Sequence, residues 1–491
     1  MSRRQPDERP VQLVERACGK GTASSPKQGI ENGRDRLDYD IVQRVRNLAR
    51  TSARRTPVKP DAVVAVTKST EKISALVATC QSGWSLPAAF YSDEAIYRAD
   101  LEQIWRRGWL FAGHGCEIPK PGDYFTLEVD TDSLVVLRRE DGTVQGFHNV
   151  CRHRGSLICT ETAGHAKKLV CPYHQWTYGL DGSLLACRGM HEDLDKSQFS
   201  LRPIHLREIE GLIYLSLAGA PPDFEPARSV LSPLMRPQGF SKAKVAKAVT
   251  YLVKANWKLV WENNRECYHC NLNHPQYIKA NFDHFNADDT TPRIQEKIDA
   301  AIQRSEQKRR ATGTAATHKS IGMTSFPDPE NNIWFSANRT PLVDGYVSES
   351  MNGKRVAPLM GDYDEAGADT LRIRTLPNFW NHSSCDHGVS TRLLPVGPQA
   401  TSVRDWWLVD AAAVEGRDYD LTALMPFWQL TSEQDWEICE RQQRGVNSSA
   451  YTPGPYSRYK EYNVEGFVRW YLKTLAPRTI QPKRDGIELG L

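Results

Sequence analysis

No stretch of this 491-residue chain approaches the ~18–20 consecutive apolar residues of a membrane span. With a mean hydropathy of −0.54, the expectation is a soluble, cytoplasmic protein. The N-terminus has no apolar core of the kind a secretory signal needs. Excess charge is also scarce: 63 Lys and Arg face 59 Asp and Glu, a formal net charge of +4. A basic N-terminal stretch could bind nucleic acid, but a solvated extension is the preferred reading, so no nucleic-acid partner is expected. No glycine-rich nucleotide fingerprint occurs, which leaves no site for NAD(P) or a flavin in this chain. Eleven cysteines are present without a disulfide framework, as suits a reducing compartment.

What charge there is lies unevenly. Residues 1–60 hold fourteen Lys and Arg against seven Asp and Glu. Seven acids argue against an organelle transit peptide. The stretch is rich in Arg, Ser, Pro and Gly, with a helix expected near 39–50, and reads as a solvated, partly disordered extension.

Chemistry begins at Cys151-Arg-His153, followed after seventeen residues by Cys171-Pro-Tyr-His174. One thiolate and one imidazole in each of two short loops are what a Rieske two-iron two-sulfur cluster needs, with the cysteines on one iron and the histidines on the other. The alternative is a Cys2His2 zinc site, but zinc modules usually pair like ligands within a loop. Further on comes Asn256-Trp257-Lys258-Leu-Val-Trp-Glu262-Asn-Asn-Arg-Glu266-Cys267-Tyr268-His269-Cys270-Asn-Leu-Asn-His274-Pro275. Two histidines with carboxylates suggest the start of a two-His-one-carboxylate iron site, which leaves positions open for oxygen and substrate. Read alone, the run could be a solvated helix face. Glu266 and His269 would share a face on a helix, and the five-residue step from His269 to His274 suits a π-turn. The third ligand must come from elsewhere, and Thr431-Ser-Glu433-Gln434-Asp435-Trp436-Glu437 offers three carboxylates.

These motifs resemble the large subunits of Rieske non-haem iron oxygenases, across roughly residues 85–475. Cys151-Arg-His153-Arg-Gly155 and Cys171-Pro-Tyr-His174-Gln-Trp176-Thr-Tyr178 are similar to the cluster loops of that family. Respiratory Rieske proteins place bracing cysteines where this chain has Ser156 and Tyr173. The missing brace implies a potential near the bottom of the roughly −150 to +300 mV Rieske range. The resemblance implies His269, His274 and Asp435 as ligands of a mononuclear Fe(II). It implies Glu266 as the acid that bridges to a neighbouring subunit's Rieske histidine, His174. Most members carry Asp there; Glu within ENNRECYHC is similar to the branch acting on quaternary ammonium compounds, which includes glycine betaine monooxygenase, carnitine oxygenase and stachydrine demethylase. The implied activity is O2-dependent hydroxylation of an N-methyl group of a glycine betaine-like substrate, releasing formaldehyde. Electrons would come from a separate NAD(P)H-dependent flavin/iron–sulfur reductase, and the assembly would be a homotrimer. An aromatic-ring-hydroxylating dioxygenase alpha subunit is the alternative, and a non-catalytic electron carrier the third reading.

The expected fold is α+β: a small antiparallel β Rieske domain and a larger catalytic domain with an antiparallel sheet flanked by helices. The expected boundaries are an extension over 1–67, an entry segment over 68–107, the Rieske domain over 108–222 and the catalytic domain over 223–491. Within the entry segment Ser92 is the expected N-cap of a helix over 95–107. Strands are expected at 124–129, 133–138, 144–149, 249–253, 370–375, 389–394 and 401–409. Residues 285–325 read as a helical excursion or lid. Tyr268, Trp334, Phe335, Tyr346, Trp380, Trp406 and Trp407 are available to meet a cation, but core packing is the better explanation for any one of them, so none is assigned.

Overall fold

A buried aspartate ties the entry segment to the rest of the chain. The computed structural model describes residues 71–285, 289–311, 326–328, 330–331, 333–367 and 369–475. The basic tail and its expected helix lie outside them; the described residues all belong to the compact unit Ser52–Leu491. Helix α1, Glu94–Asp100, is capped by Asp93, whose carboxylate accepts from Ala95 N at 2.7 Å and Ile96 N at 3.3 Å. The expected cap, Ser92, instead closes a preceding turn by donating to Ala88 O at 3.0 Å. An acceptor with two oxygens reaches two of the orphan N–H groups at a helix start, which a single hydroxyl does not. The helix continues as a π-turn over Leu101–Trp105. Asp100 accepts from Lys258 Nζ at 2.5 Å, Trp257 Nε1 at 3.0 Å and Tyr471 Oη at 2.8 Å, all out of water. Removing one partner from a buried pair of this kind costs about 3–5 kcal/mol. The Trp-Lys pair of the NWK run is therefore a structural anchor.

Alternating residues then build small antiparallel sheets. Strands β1 (Leu110–His114), β2 (Asp123–Val129), β3 (Asp132–Arg138), β4 (Val144–His148) and β5 (Ala163–His165) are followed by β6 (Leu169–Val170), β7 (Thr177–Tyr178) and β8 (Leu184–Ala186). Strand β9 (His205–Ile209) pairs with β10 (Leu212–Ser216), which returns to pair with β1. The sheets run β4-β3-β2-β5, β6-β7-β8 and β1-β10-β9. Phe111 of β1 exchanges two hydrogen bonds with the Asn378 side chain, at 2.8 and 3.0 Å, and its ring meets Phe379 at 4.1 Å. That contact joins the small sheets of the N-terminal part to the strands that follow them.

The C-terminal part is built on a six-stranded antiparallel sheet in the order β11-β16-β15-β14-β13-β12. Its strands are β11 (Ala243–Val253), β12 (Phe335–Pro341), β13 (Asp369–Thr375), β14 (Phe379–Ser383), β15 (Gly388–Gly397) and β16 (Ala400–Asp410). Two of these, β12 and β14, carry so many buried polar residues that alternation of hydrophobicity does not reveal them. Cross-strand bonds satisfy these groups, as where Asn381 Nδ2 donates to Ser390 Oγ at 3.0 Å. Helix α2 (Trp257–Asn264) starts at Asn256, whose side chain accepts from Lys258 N at 2.9 Å. Residues 292–311 form a 20-residue helix, α3 (Pro292–Ala311), tied to β13 through Ser305 and Arg309 on Asp369; residues 312–325 of the expected excursion lie outside the described residues. Helices α4 (Pro426–Val446) and α5 (Tyr462–Leu475) complete the domain. Among the described residues no helix is long and apolar enough to cross a membrane.

Candidate metal centres and active-site pocket

The two Cys/His loops fold alike. In the first, Gly155 N donates to Cys151 O at 3.0 Å and Cys151 N donates to Ser156 O at 2.8 Å. In the second, Gln175 N donates to Cys171 O at 3.0 Å and Cys171 N to Trp176 O at 2.9 Å. Each loop therefore needs a left-handed residue four places after its cysteine. Gly155 adopts φ +79° without cost, whereas Gln175 is held at φ +60°, a conformation unfavourable for a side-chain-bearing residue and typical of functional sites. Cys151 and Cys171 are buried, and the His153 and His174 rings lie 4.7 Å apart near the surface. Trp176 stacks on His153 at 4.8 Å and Tyr173 on His174 at 3.8 Å. Arg152 N donates to Tyr178 Oη at 3.0 Å, which directs the phenol proton to Cys151 Sγ, 3.3 Å away. The donor set fits a two-iron two-sulfur cluster: paired thiols, paired imidazoles, a sulfur-directed O–H, and a buried His153 Nδ1 with no hydrogen-bond partner.

The second group converges from distant parts of the chain. Asp435 Oδ1 lies 3.2 Å from His269 Nε2 and 3.0 Å from His274 Nε2. Each imidazole is also held at its other nitrogen, His269 Nδ1 by Glu266 Oε1 at 2.5 Å and His274 Nδ1 by Gln434 Oε1 at 2.8 Å. This arrangement leaves both Nε2 atoms and the carboxylate for a cation, the donor set of a mononuclear iron. Electrostatics agree. Burial would depress His269, but its bonds to Asp435 and Glu266 outweigh burial and push it up to about 10. Burial would raise Asp435, yet the two imidazoles hold it well below the usual carboxylate range. Protons here neutralise what a metal would neutralise. Glu433 and Glu437 face solvent, bonded to Gln429 and Arg441.

The local backbone differs from the π-turn expectation. Helix α2 stops at Asn264, and the Glu266 carboxylate caps the next turn by accepting from Tyr268 N and His269 N. A single helical turn, Cys270–Asn273, follows, and His274 N donates to Cys270 O at 2.9 Å, an α-type bond. Glu266 satisfies the N–H groups that a continuous helix would have used, so the chain restarts there. A disulfide joins Cys267 and Cys270, with Cα atoms 5.0 Å apart, unlike the disulfide-free chain expected above. Among the described residues Glu266 has no hydrogen bond or ion pair to His174 of its own chain.

A pocket opens beside the His269–His274–Asp435 group. One wall is the inner face of the sheet, and the strand register explains its composition. Arg372 and Arg374 alternate out of β13, opposite His382 and Trp380 of β14, which face Val389 and Thr391 of β15. The facing wall is α4, where Trp428, Thr431, Ser432, Asp435 and Trp436 share one side. Trp380 is the one tryptophan of the earlier candidates that lines the pocket. Trp406 and Trp407 belong to the core, and Tyr268 is 57 % exposed. Trp428, Trp436, Gln434, His382 and Arg374 were not foreseen. The helical step of seven from Trp428 to Asp435 could have indicated the first.

Two family models match the chain: the Rieske [2Fe-2S] domain over residues 108–200 and the ring hydroxylating alpha subunit (catalytic domain) over residues 240–476. The glycine betaine monooxygenase oxygenase subunit of Chromohalobacter salexigens is 40 % identical over 402 residues, covering 81 % of this chain and 87 % of that protein. The same-named subunit of Pseudomonas aeruginosa is 41 % identical over 390 residues, covering 79 % and 88 %. Among solved structures, the quaternary ammonium Rieske monooxygenase CntA superposes with a TM-score of 0.62 at 20 % identity, covering 81 % of this chain and 97 % of that one. That likeness shows the fold.

Proposed function

The chain belongs to the family of Rieske ring-hydroxylating oxygenase alpha subunits, and on that premise we propose that it oxidises an N-methyl group of a quaternary ammonium compound, glycine betaine first. The observation that carries this reading is a two-histidine, one-carboxylate group beside a pocket walled by Trp380, Trp428 and Trp436. A quaternary ammonium has no N–H to donate and is held by aromatic faces through cation–π attraction. The relatives at 40 and 41 % identity support the same substrate class.

When bound, the cluster supplies single electrons and the Fe(II) supplies oxygen activation. The chain's residues hold and orient them. Cys151 and Cys171 would take one iron of the cluster, and His153 and His174 the other. His269, His274 and Asp435 would take the mononuclear iron, with Glu266 and Gln434 fixing ring orientation from the second nitrogen. Glu266 also serves as the bridge to His174 of a neighbouring copy in a trimer, a role the resemblance to the family supports. A separate reductase delivers electrons from NAD(P)H. An N-methyl C–H becomes C–OH with one oxygen atom of O2, and the other atom leaves as water using the two electrons from NAD(P)H and two protons. The N–CH2OH bond then breaks with its electron pair kept by nitrogen, so that formaldehyde leaves and the hydroxyl proton goes to solvent.

The test is turnover of the iron-loaded oxygenase with a surrogate reductase, NADH and O2. The panel is glycine betaine, carnitine, choline, proline betaine and aromatic carboxylates. Stoichiometric formaldehyde from a quaternary amine is expected. Oxygen uptake coupled only to an aromatic, with a ring-hydroxylated product and no formaldehyde, would overturn the reading.

A further inference from the structure

Arg372 and Arg374 project from the same face of β13 into the pocket wall, and both are almost fully buried, at 2 and 3 % exposure. Their surroundings differ. Arg372 is neutralised: it forms an ion pair with Asp283, donates to Asn281 Oδ1 at 2.9 Å and lies 3.6 Å from Glu349 Oε1. Arg374 has a single hydrogen bond, Nε to Asn264 Oδ1 at 3.4 Å, and no carboxylate partner among the described residues. A buried cation without a counter-charge is costly unless something completes it. Burial and the repulsion of Arg372 push the Arg374 guanidinium down to about 10, outweighing the attraction of Asp283, whose carboxylate is ion-paired with Arg372.

A second observation lies on the same face. His382, opposite Arg372 and diagonal to Arg374, is 6 % exposed, and neither ring nitrogen has a hydrogen-bond partner. Burial and the two arginines hold it neutral, so it presents one N–H donor to the pocket. Trp380 sits directly across from Arg374, with Trp436 at 6.4 Å from it on the facing wall. The pocket is thus polarised. The sheet side carries the Arg374 guanidinium, the His382 imidazole N–H and the Trp380 indole, with Asp283 engaged by Arg372, while Trp428, Trp436 and Asp435 occupy the facing helix and Glu266 lies beside the two histidines.

We propose that Arg374 binds the carboxylate of a zwitterionic substrate, so that the site selects N-methylated amino acids over quaternary amines that lack an anion. This inference rests on the quaternary-ammonium reading above and narrows it. A guanidinium presents a planar fork that matches a carboxylate, and a short betaine carries its cation and its anion at opposite ends. With the anion on Arg374, the trimethylammonium end is left to the tryptophans beside the metal ligands.

The test uses the iron-loaded oxygenase with reductase, NADH and O2, and compares glycine betaine with its carboxamide, which has the same shape and ammonium but no anion. For the wild-type protein, KM for the carboxamide should exceed that for glycine betaine by roughly 10- to 100-fold, the loss expected for a charge-assisted pair. Arg374→Gln should raise KM for glycine betaine by a similar factor, change kcat less, and leave KM for the carboxamide unaltered. Arg374→Lys should recover part of the difference. If Arg374→Gln lowers metal content, the wild-type comparison alone decides. Equal KM values for the two substrates in the wild type, or an equal effect of Arg374→Gln on both, would overturn the assignment while leaving N-demethylation intact. Absence of formaldehyde from any quaternary amine would remove both readings together.

Discussion

The two candidate metal-binding regions are built on opposite plans. The Rieske loops are local: each draws its cysteine and histidine from four or fewer consecutive residues and repeats the same pair of backbone bonds. The pocket is non-local: Asp435 lies 161 residues beyond His274, and the walls come from a sheet and a helix. The loops carry their histidines near the surface, where electrons must enter and leave. The pocket buries its charges, and every one it uses must find a partner or wait for a ligand. A surface relay tolerates solvent, whereas oxygen chemistry on a substrate needs its exclusion.

Substitutions can break this contrast, starting with the largest effect. Asp435→Ala should abolish formaldehyde formation and lower iron from about three to about two atoms per chain, leaving the Rieske absorption and electron-spin signals in place. Loss of the Rieske signals as well would mean the two regions are not independent. Glu266→Gln keeps an oxygen to accept from His269 Nδ1, so both metals should remain, while removal of its charge slows transfer from the cluster by roughly 10- to 100-fold. Wild-type oxidation of the reduced cluster in a single turnover would refute the bridge. Tyr178→Phe removes the O–H directed at Cys151 Sγ. The reduced cluster bears more negative charge and gains more from that donor, so the midpoint potential should drop, on the order of 40 mV if about 1 kcal/mol is lost. An unchanged potential would assign the hydroxyl a packing role only.

The smallest effect concerns the buried acid of α2. Glu262 accepts from Tyr91 Oη at 2.8 Å, and burial pushes it from an ordinary 4.5 up to about 8. The folded chain therefore holds a proton that the unfolded chain releases, so this group's contribution to stability is lost as pH rises from about 4.5 to about 8. Glu262→Gln should stabilise the protein relative to wild type at pH values above that window, by roughly 2–4 °C in Tm, and show little difference below it. A constant offset at all pH values would place the acid outside this account.

The same contrast explains what could be read from the chain alone. Both Cys/His loops and the His269–His274 pair were legible because their chemistry lies in adjacent residues. Most strands showed themselves by alternation, and β13 began within a residue of its expected position. Strands β12 and β14 did not, because a strand facing a polar pocket carries Asn, Arg and His where alternation looks for Val and Ile. Ser92 lost the cap to Asp93 because adjacent candidates are separated only by geometry. Asp435 was chosen from a resemblance, since helix periodicity does not say which of three nearby carboxylates meets histidines 161 and 166 residues away. Arg374 was invisible for the same reason: a charged residue in a strand becomes informative only once its lack of a partner is known.

The most direct test of the central claim is a single turnover without reductase. Oxygenase with its cluster pre-reduced and Fe(II) in place is mixed with glycine betaine and O2, and formaldehyde and dimethylglycine are counted against cluster oxidation. The account predicts the two products in equal amounts, formed in step with cluster oxidation and absent in Asp435→Ala. Cluster oxidation at the wild-type rate with neither product formed would contradict it.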